Sequence, residues 1–175
     1  MKILKYLLFV IVGLIVFMLI IALFVSKSFH AGSQITINRP ATEVFDYVSS
    51  LKNQGNYDAW SQMDPNIQKQ YSGTDKTVGF TYEWKSKKVG DGKQVISRID
   101  PGKRIEMDLF FNGSDKANKS FIEVVAVGEE QSLVMWEIDG SMPYPFNIMG
   151  LFFDMNKDFD QGLKNLKAIL ESDSQ

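Results

Sequence analysis

From Tyr6 to Val25, "YLLFVIVGLIVFMLIIALFV", the chain carries no charge and only Gly13 interrupts its hydrophobic residues. Twenty helical residues at 1.5 Å rise reach roughly 30 Å, the thickness of a bilayer's hydrocarbon core. The pattern therefore predicts a membrane-spanning helix. A cleaved signal peptide, the competing interpretation, has an apolar region of about 7–15 residues and a small-x-small cleavage site. This run is longer, and "SKS" at Ser26–Ser28 is a poor site.

Beyond the span the period changes. "QITIN" (34–38) alternates polar and apolar positions, as a half-buried strand does. In "RPATEVFDYVSSLKN", Pro40 suits a helix start and Val44, Phe45, Val48 and Leu51 recur at helical spacing. "QGNYDAWSQMDP" reads as a connection holding Tyr57 and Trp60. A series of strands follows: the short "IQKQYSG", then "TVGFTYEWKS" with Val78, Phe80, Tyr82 and Trp84 on one face and Thr81, Glu83 and Lys85 on the other. "VGDGKQVISRI" begins with a Gly90-Asp91-Gly92 turn signal, and "DPGK" (100–103) is a second turn. "RIEMDLFFN" sets Ile105, Met107, Leu109 and Phe111 against Glu106 and Asp108; "KSFIEVVAVG" and "SLVMWEIDG" form a last hairpin. Pro143 and Pro145 stop strand pairing.

A long amphipathic helix is expected from about Asn147 to Glu171. Phe152, Met155, Phe159, Leu163, Leu166 and Leu170 share its buried face, opposite Lys157, Gln161, Lys164 and Glu171. Gly162 lies beside that buried face although glycine within a helix costs about 1 kcal/mol relative to alanine. The order is strand, helix or helices, about six strands and one long helix. It implies an α+β fold of helix-grip type, a curved antiparallel sheet of about seven strands around a long C-terminal helix. The expected organisation is a transmembrane anchor over 1–27 and one domain over 28–175.

Composition and charge narrow the chemistry. The chain has no cysteine, which excludes disulfides, thiolate metal sites, a cysteine nucleophile and a lipoprotein anchor. The single histidine, His30, makes histidine-based metal clusters and Ser-His-Asp triads improbable, and neither a metal nor a cofactor is expected. Removing Lys2, Lys5 and Lys27 from the 19 basic residues leaves 16 against all 21 acids in residues 28–175, a net charge of −5 that argues against a nucleic-acid partner. Lys2, Lys5 and the α-amino group precede the span, and Lys27 and His30 follow it. By the positive-inside rule the N-terminus is expected in the cytoplasm and the domain on the opposite side of the membrane.

"ITINRPATEVFDYVSSLKN", "WSQMDPNIQKQYSG", "TVGFTYEWKSKKVGDGKQVI" and "GLFFDMNKDFDQGLKNLKAIL" resemble the START-like (SRPBCC, polyketide cyclase/dehydrase-type) superfamily, in its small membrane-anchored bacterial branch. The segment between "FFDM" and "DFDQGL" is shorter than expected for that branch, which puts the entry to the long helix in question. The resemblance implies a cavity between sheet and long helix that holds a hydrophobic ligand. Gly162 then either widens the cavity or lets the helix approach the sheet, as plain packing also would. Ligand contacts are expected from Trp60, Tyr82, Trp84, Met107, Leu109, Trp136, Met155, Phe159 and Gly162, residues a packed core would use equally. No catalytic residue is identified. Glu83 and Glu137 alternate with apolar neighbours and are expected on the solvated face, and "NGS" at Asn112 and "NKS" at Asn118 match a glycosylation acceptor pattern of low specificity. The leading expectation is a membrane-anchored binding module for a hydrophobic small molecule or lipid. The alternatives are a cyclase- or dehydratase-like enzyme acting on a polyketide-like substrate, and a protein-interaction or stress-response domain with no ligand.

Overall fold

The computed structural model describes residues 2–172, so the α-amino group and residues 173–175 of the expected 28–175 domain lie outside the described residues. The chain forms α1 (Lys2–Phe24), β1 (Ser28–Ile37), α2 (Ala41–Val48), α3 (Leu51–Tyr57) and α4 (Ala59–Met63). There follow β2 (Gln68–Ser72), β3 (Thr81–Lys85), β4 (Gly92–Asp100), β5 (Arg104–Phe111), β6 (Asn118–Gly128) and β7 (Gln131–Ser141), then a 3-10 helix (Phe146–Leu151) and α5 (Met155–Ser172). Two compact units result: one runs to Phe29 and takes in Gly140–Asp154, the other comprises His30–Asp139 and the chain from Met155 on.

In the larger unit the strands lie in the order β1-β7-β6-β5-β4-β3-β2, antiparallel from β2 through β7, in the expected seven-stranded α+β arrangement. Alternation decides what each strand buries. Ile105 and Met107 are buried while Glu106 and Asp108 between them are not; Val134, Trp136 and Ile138 do the same on β7. Helix α5 turns Phe159, Gly162, Leu163, Leu166 and Leu170 inward, at the i, i+3, i+4 spacing of one helical stripe. Val44 and Val48 from α2 and Leu51 and Tyr57 from α3 join the core, each full burial of such an apolar side chain stabilising by about 1.5–3 kcal/mol.

Four boundaries differ from expectation. The helix after Pro40 is two helices, because Ser50 takes an extended conformation between α2 and α3. The stretch expected as a connection is largely helical: α3 continues through Gly55, and the carboxylate of Asp58 accepts the Ser61 N–H at 2.6 Å to begin α4. The long helix begins at Met155, not near Asn147, and Phe152 is exposed. The apolar residues before and after that break share a helical phase by spacing alone. Val78 is also exposed, because β3 begins only at Thr81.

In the smaller unit, α1 is 23 residues of almost wholly exposed hydrophobic side chains, long and apolar enough to cross a membrane. At its C-terminal end, where helix carbonyls lack intrahelical partners, the buried Asn147 amide donates to Ala22 O at 2.7 Å and Val25 O at 2.8 Å.

Candidate functional site

The interior of the larger unit is not filled. A cavity of about 130 Å³ lies among β3, β4, β5, β7, α3, α4 and the first turns of α5. Seven of the nine residues expected from sequence line it: Trp60 from α4, Tyr82 and Trp84 from β3, Leu109 from β5, Trp136 from β7, and Met155 and Phe159 from α5. Met107 and Gly162 do not. The Met107 sulfur accepts from the Gln94 side-chain amide at 2.7 Å, beneath the cavity wall. Gly162 acts through Trp136: a Cβ there would stand 3.0 Å from Trp136 Cζ3, 3.6 Å from the Tyr57 carbonyl oxygen and 3.7 Å from Asp58 Cα. The glycine thus serves a close approach of α5.

Aromatic edges hold the wall together. Trp136 meets Tyr57, Trp60 and Phe159 edge-on, with ring centroids 5.6, 5.9 and 5.0 Å apart and planes near perpendicular, the geometry that aromatic quadrupoles favour. Tyr82 stacks on Tyr71 at 5.1 Å, and Trp84 lies across the paired Gly92, where a Cβ would overlap its ring. Ile67, Trp84, Val89 and Phe111 at one end are half-buried, whereas Tyr82, Trp136, Ile138 and Phe159 are buried. The cavity therefore runs inward from a partly exposed end.

One side of this wall is polar, and sequence reasoning missed it. Gln54 and Gln94, both buried, exchange amide hydrogen bonds at 3.3 and 2.9 Å. The Ser120 hydroxyl donates to Glu137 O at 2.7 Å, and Ser61 is a hydrogen-bond partner of Tyr82. Asp58 is only 4% exposed. Its Oδ1 caps α4, while its Oδ2 is buried without any partner. Burial pushes the Asp58 carboxyl above the usual carboxylate range, against the opposing pull of its hydrogen bonds from Ser61, the charge of Lys69 and the Trp60 backbone N–H. Burial likewise pushes the Tyr82 hydroxyl up. The sequence did hold a signal. Gln94 lies two residues before Ile96 on β4, hence in core phase, and Gln54 lies one turn after Leu51.

Other candidates fall outside the site. Glu83 is exposed, and Glu137 lies on the outer face, where His30 Nε2 approaches it at 3.9 Å and His30 Nδ1 lies 2.9 Å from Asp139. Asn118 is buried, with its amide donating to Leu109 O, so that acceptor motif is inaccessible. Among the described residues no group of acidic or histidine side chains could hold a metal ion.

Size limits what the cavity can take. Drug-sized ligand sites span about 300–1,000 Å³, whereas an engineered cavity of about 150 Å³ binds benzene. The space is on the scale of a single ring.

Residues 28–171 match the model of a family described as polyketide cyclase / dehydrase and lipid transport. No curated protein sequence matches the chain. Among solved structures, norcoclaurine synthase from Thalictrum flavum, in complex with dopamine and hydroxybenzaldehyde, is similar at TM-score 0.63 and 11% identity, covering 89% of this chain and 94% of its own. The Aha1 protein of Colwellia psychrerythraea, a dimer in solution, is similar at TM-score 0.59 and 15% identity, over 84% and 99% of the two chains. A protein from Nitrosospira multiformis gives 0.58 and 13%, over 79% and 94%. At these identities the likeness is one of fold.

Proposed function

The chain belongs to the polyketide cyclase / dehydrase and lipid transport family, and from that premise we propose that it binds a small, ring-sized apolar molecule in the cavity between sheet and α5. The observation that carries this reading is the unfilled space itself, walled by Trp60, Trp84, Trp136 and Phe159. Core side chains normally pack at the density of organic crystals, so a void of this size forfeits contacts that an occupant restores. Norcoclaurine synthase, with the same fold, holds two single-ring compounds.

We further propose that α1 spans the bilayer and tethers the domain, with Lys2 and Lys5 on the cytoplasmic side. At 1.5 Å per residue its 23 residues reach about 35 Å. A core helix would be buried, and of this one only Ala22 is. A signal sequence would not be held in the fold, and the Asn147 bonds to its last turn support retention. The anchor would raise the domain's concentration beside membrane-dissolved compounds.

The test is toluene titrated into the full chain in lipid nanodiscs, read by methionine-methyl NMR. Met155 lines the cavity, whereas Met63 and Met135 do not. A saturable shift at Met155 with Met63 and Met135 unmoved supports the reading; no shift at Met155 overturns it. The buried Asp58 carboxyl favours a second reading, acid–base catalysis on the bound compound. It would be supported by an occupant that is chemically altered by the native chain and left unaltered by Asp58→Asn.

A further inference from the structure

Among the residues lining the cavity, Asp58 alone carries a buried side-chain oxygen with no partner. The other buried polar groups of the wall are already satisfied. Gln54 and Gln94 pair with each other, and Ser120 is spent on Glu137 O. A lone carboxylate oxygen in an aromatic wall is unfavourable unless a proton or a donor from outside the chain meets it. The bonds that hold Asp58 in place are strong. Its backbone N–H is fixed to Gln54 O at 2.9 Å and its Oδ1 to Ser61 N at 2.6 Å, so the carboxylate cannot rotate Oδ2 away without uncapping α4.

We propose that the cavity selects a single-ring compound bearing a protonated amine, with Asp58 accepting the ammonium hydrogen bond and the Trp60–Trp136–Phe159 wall enclosing the ring. This rests on the cavity reading and adds the ligand's chemical class to it. A charged donor answers the missing partner of Oδ2, whereas a hydrocarbon ring does not. The charge that reaches Asp58 is that of Lys69 on β2, and the Asp58 carboxylate in turn raises the neutral hydroxyls of Tyr57, Tyr71 and Tyr82. Lys69 is exposed and is not a hydrogen-bond partner of Oδ2, so it does not supply the missing partner.

The experiment compares benzylamine, benzyl alcohol and toluene on the full chain and on Asp58→Asn, with the Met155 methyl shift as readout. Asparagine caps a helix as well as aspartate does, so the variant keeps α4. The expected result is benzylamine binding weakened at least about tenfold by Asp58→Asn, the ratio that corresponds to about 1.4 kcal/mol, with toluene binding unchanged. Benzylamine affinity to the native chain should also fall as acid neutralises Asp58. Equal benzylamine binding by the two proteins overturns the inference. If toluene also fails to bind either protein, the cavity reading falls with it; if toluene alone binds both, only the choice of amine falls.

A different observation carries a second inference, within the smaller unit. From Gly140 to Phe153 there is no charged residue, and Phe146, Leu151, Phe152 and Phe153 are all more than half exposed. The segment runs alongside α1. Pro145, Phe146, Ile148 and Met149 border one space with Leu14, Ile15, Met18 and Leu19, and Asn147, Gly150 and Leu151 border another with Phe24 and Val25. Leu14 to Phe24 covers about 15 Å of helix, half of a hydrocarbon core. Backbone at such depth must be satisfied internally. The segment does this through its own 3-10 bonds and through Met142 N to Lys27 O at 2.8 Å.

We infer that residues 143–153 lie in the acyl region of one leaflet as a wedge against α1; this rests on α1 spanning the bilayer. The chain has no cysteine, so nitroxides placed by Phe146→Cys, Phe152→Cys, Phe17→Cys and Val127→Cys report single sites in liposomes. Oxygen accessibility should be lipid-like at 17, 146 and 152 and water-like at 127. Water-like values at 146 and 152 with lipid-like 17 overturn the wedge alone. A water-like 17 overturns the span and the wedge together.

Discussion

Replacing Gly162 by alanine sets two effects of similar size against each other. The new methyl would stand 3.0 Å from Trp136 Cζ3, about 0.5 Å inside an ordinary carbon contact. Either the indole or α5 has to yield. The indole is held edge-on by Tyr57, Trp60 and Phe159, and α5 by buried Leu163 and Leu166. Such overpacking costs about 1–3 kcal/mol, and the gain in helix propensity returns about 1 kcal/mol. The net expectation is a loss of about 0–2 kcal/mol, at the low end if Trp136 slides toward the cavity. In a Trp136→Phe background the obstructing atom is gone, and the same alanine should gain about 1 kcal/mol. Differential scanning calorimetry of the four proteins of this cycle in detergent micelles measures the coupling. At about 2–4 °C per kcal/mol for a chain of this size, Gly162→Ala should lower Tm by about 0–8 °C alone and raise it by about 2–4 °C beside Trp136→Phe. An equal rise in both backgrounds would falsify the claim that the glycine exists for the indole.

Tyr57→Phe should leave stability unchanged or raise it by about 1 kcal/mol, because the Tyr57 hydroxyl is buried without a partner; a drop in Tm of several degrees would mean that hydroxyl is satisfied. Asp58→Asn should be more stable than the native chain at neutral pH. The folded state raises the Asp58 pKa above its ordinary value of 3.8, so the native chain loses stability as pH climbs from about 4 through the folded value and levels off above it. The Tm gap between the two proteins should open over that window, and a constant gap from pH 3 to 8 would refute the assignment. Gln94→Leu should cost about 1–3 kcal/mol by stranding the Gln54 amide, and adding Gln54→Leu should recover most of it; chemical shifts of the Gln54 amide and the same calorimetry check this.

The strands were legible because each side of the sheet has its own chemistry. Ile105 and Met107 against Glu106 and Asp108 fix β5 by a period of two, and Leu163, Leu166 and Leu170 fix α5 by a period near four. The aromatic part of the cavity wall followed from those phases. Its polar part did not, because Asp58 functions through a turn. Gly55 inside α3 looked like a loop residue, which hid both the helix and the cap that holds Asp58 inward. Local pattern also cannot separate Met107, which packs against Gln94, from Leu109 two residues on, which meets open space. The start of α5 failed for another reason. Phe152 and Phe153 are apolar without being core, and the spacing of apolar residues cannot tell an exposed ring from a buried one.

The sequence contains three tryptophans, Trp60, Trp84 and Trp136, and all three stand in the wall of the cavity between sheet and α5. The protein's entire indole emission therefore originates at the place where a guest would sit, and none comes from α1 or the 3-10 helix. Ultraviolet excitation of the unlabelled, purified chain in vesicles gives an optical signal from that wall alone. The molecule is its own dye for occupancy.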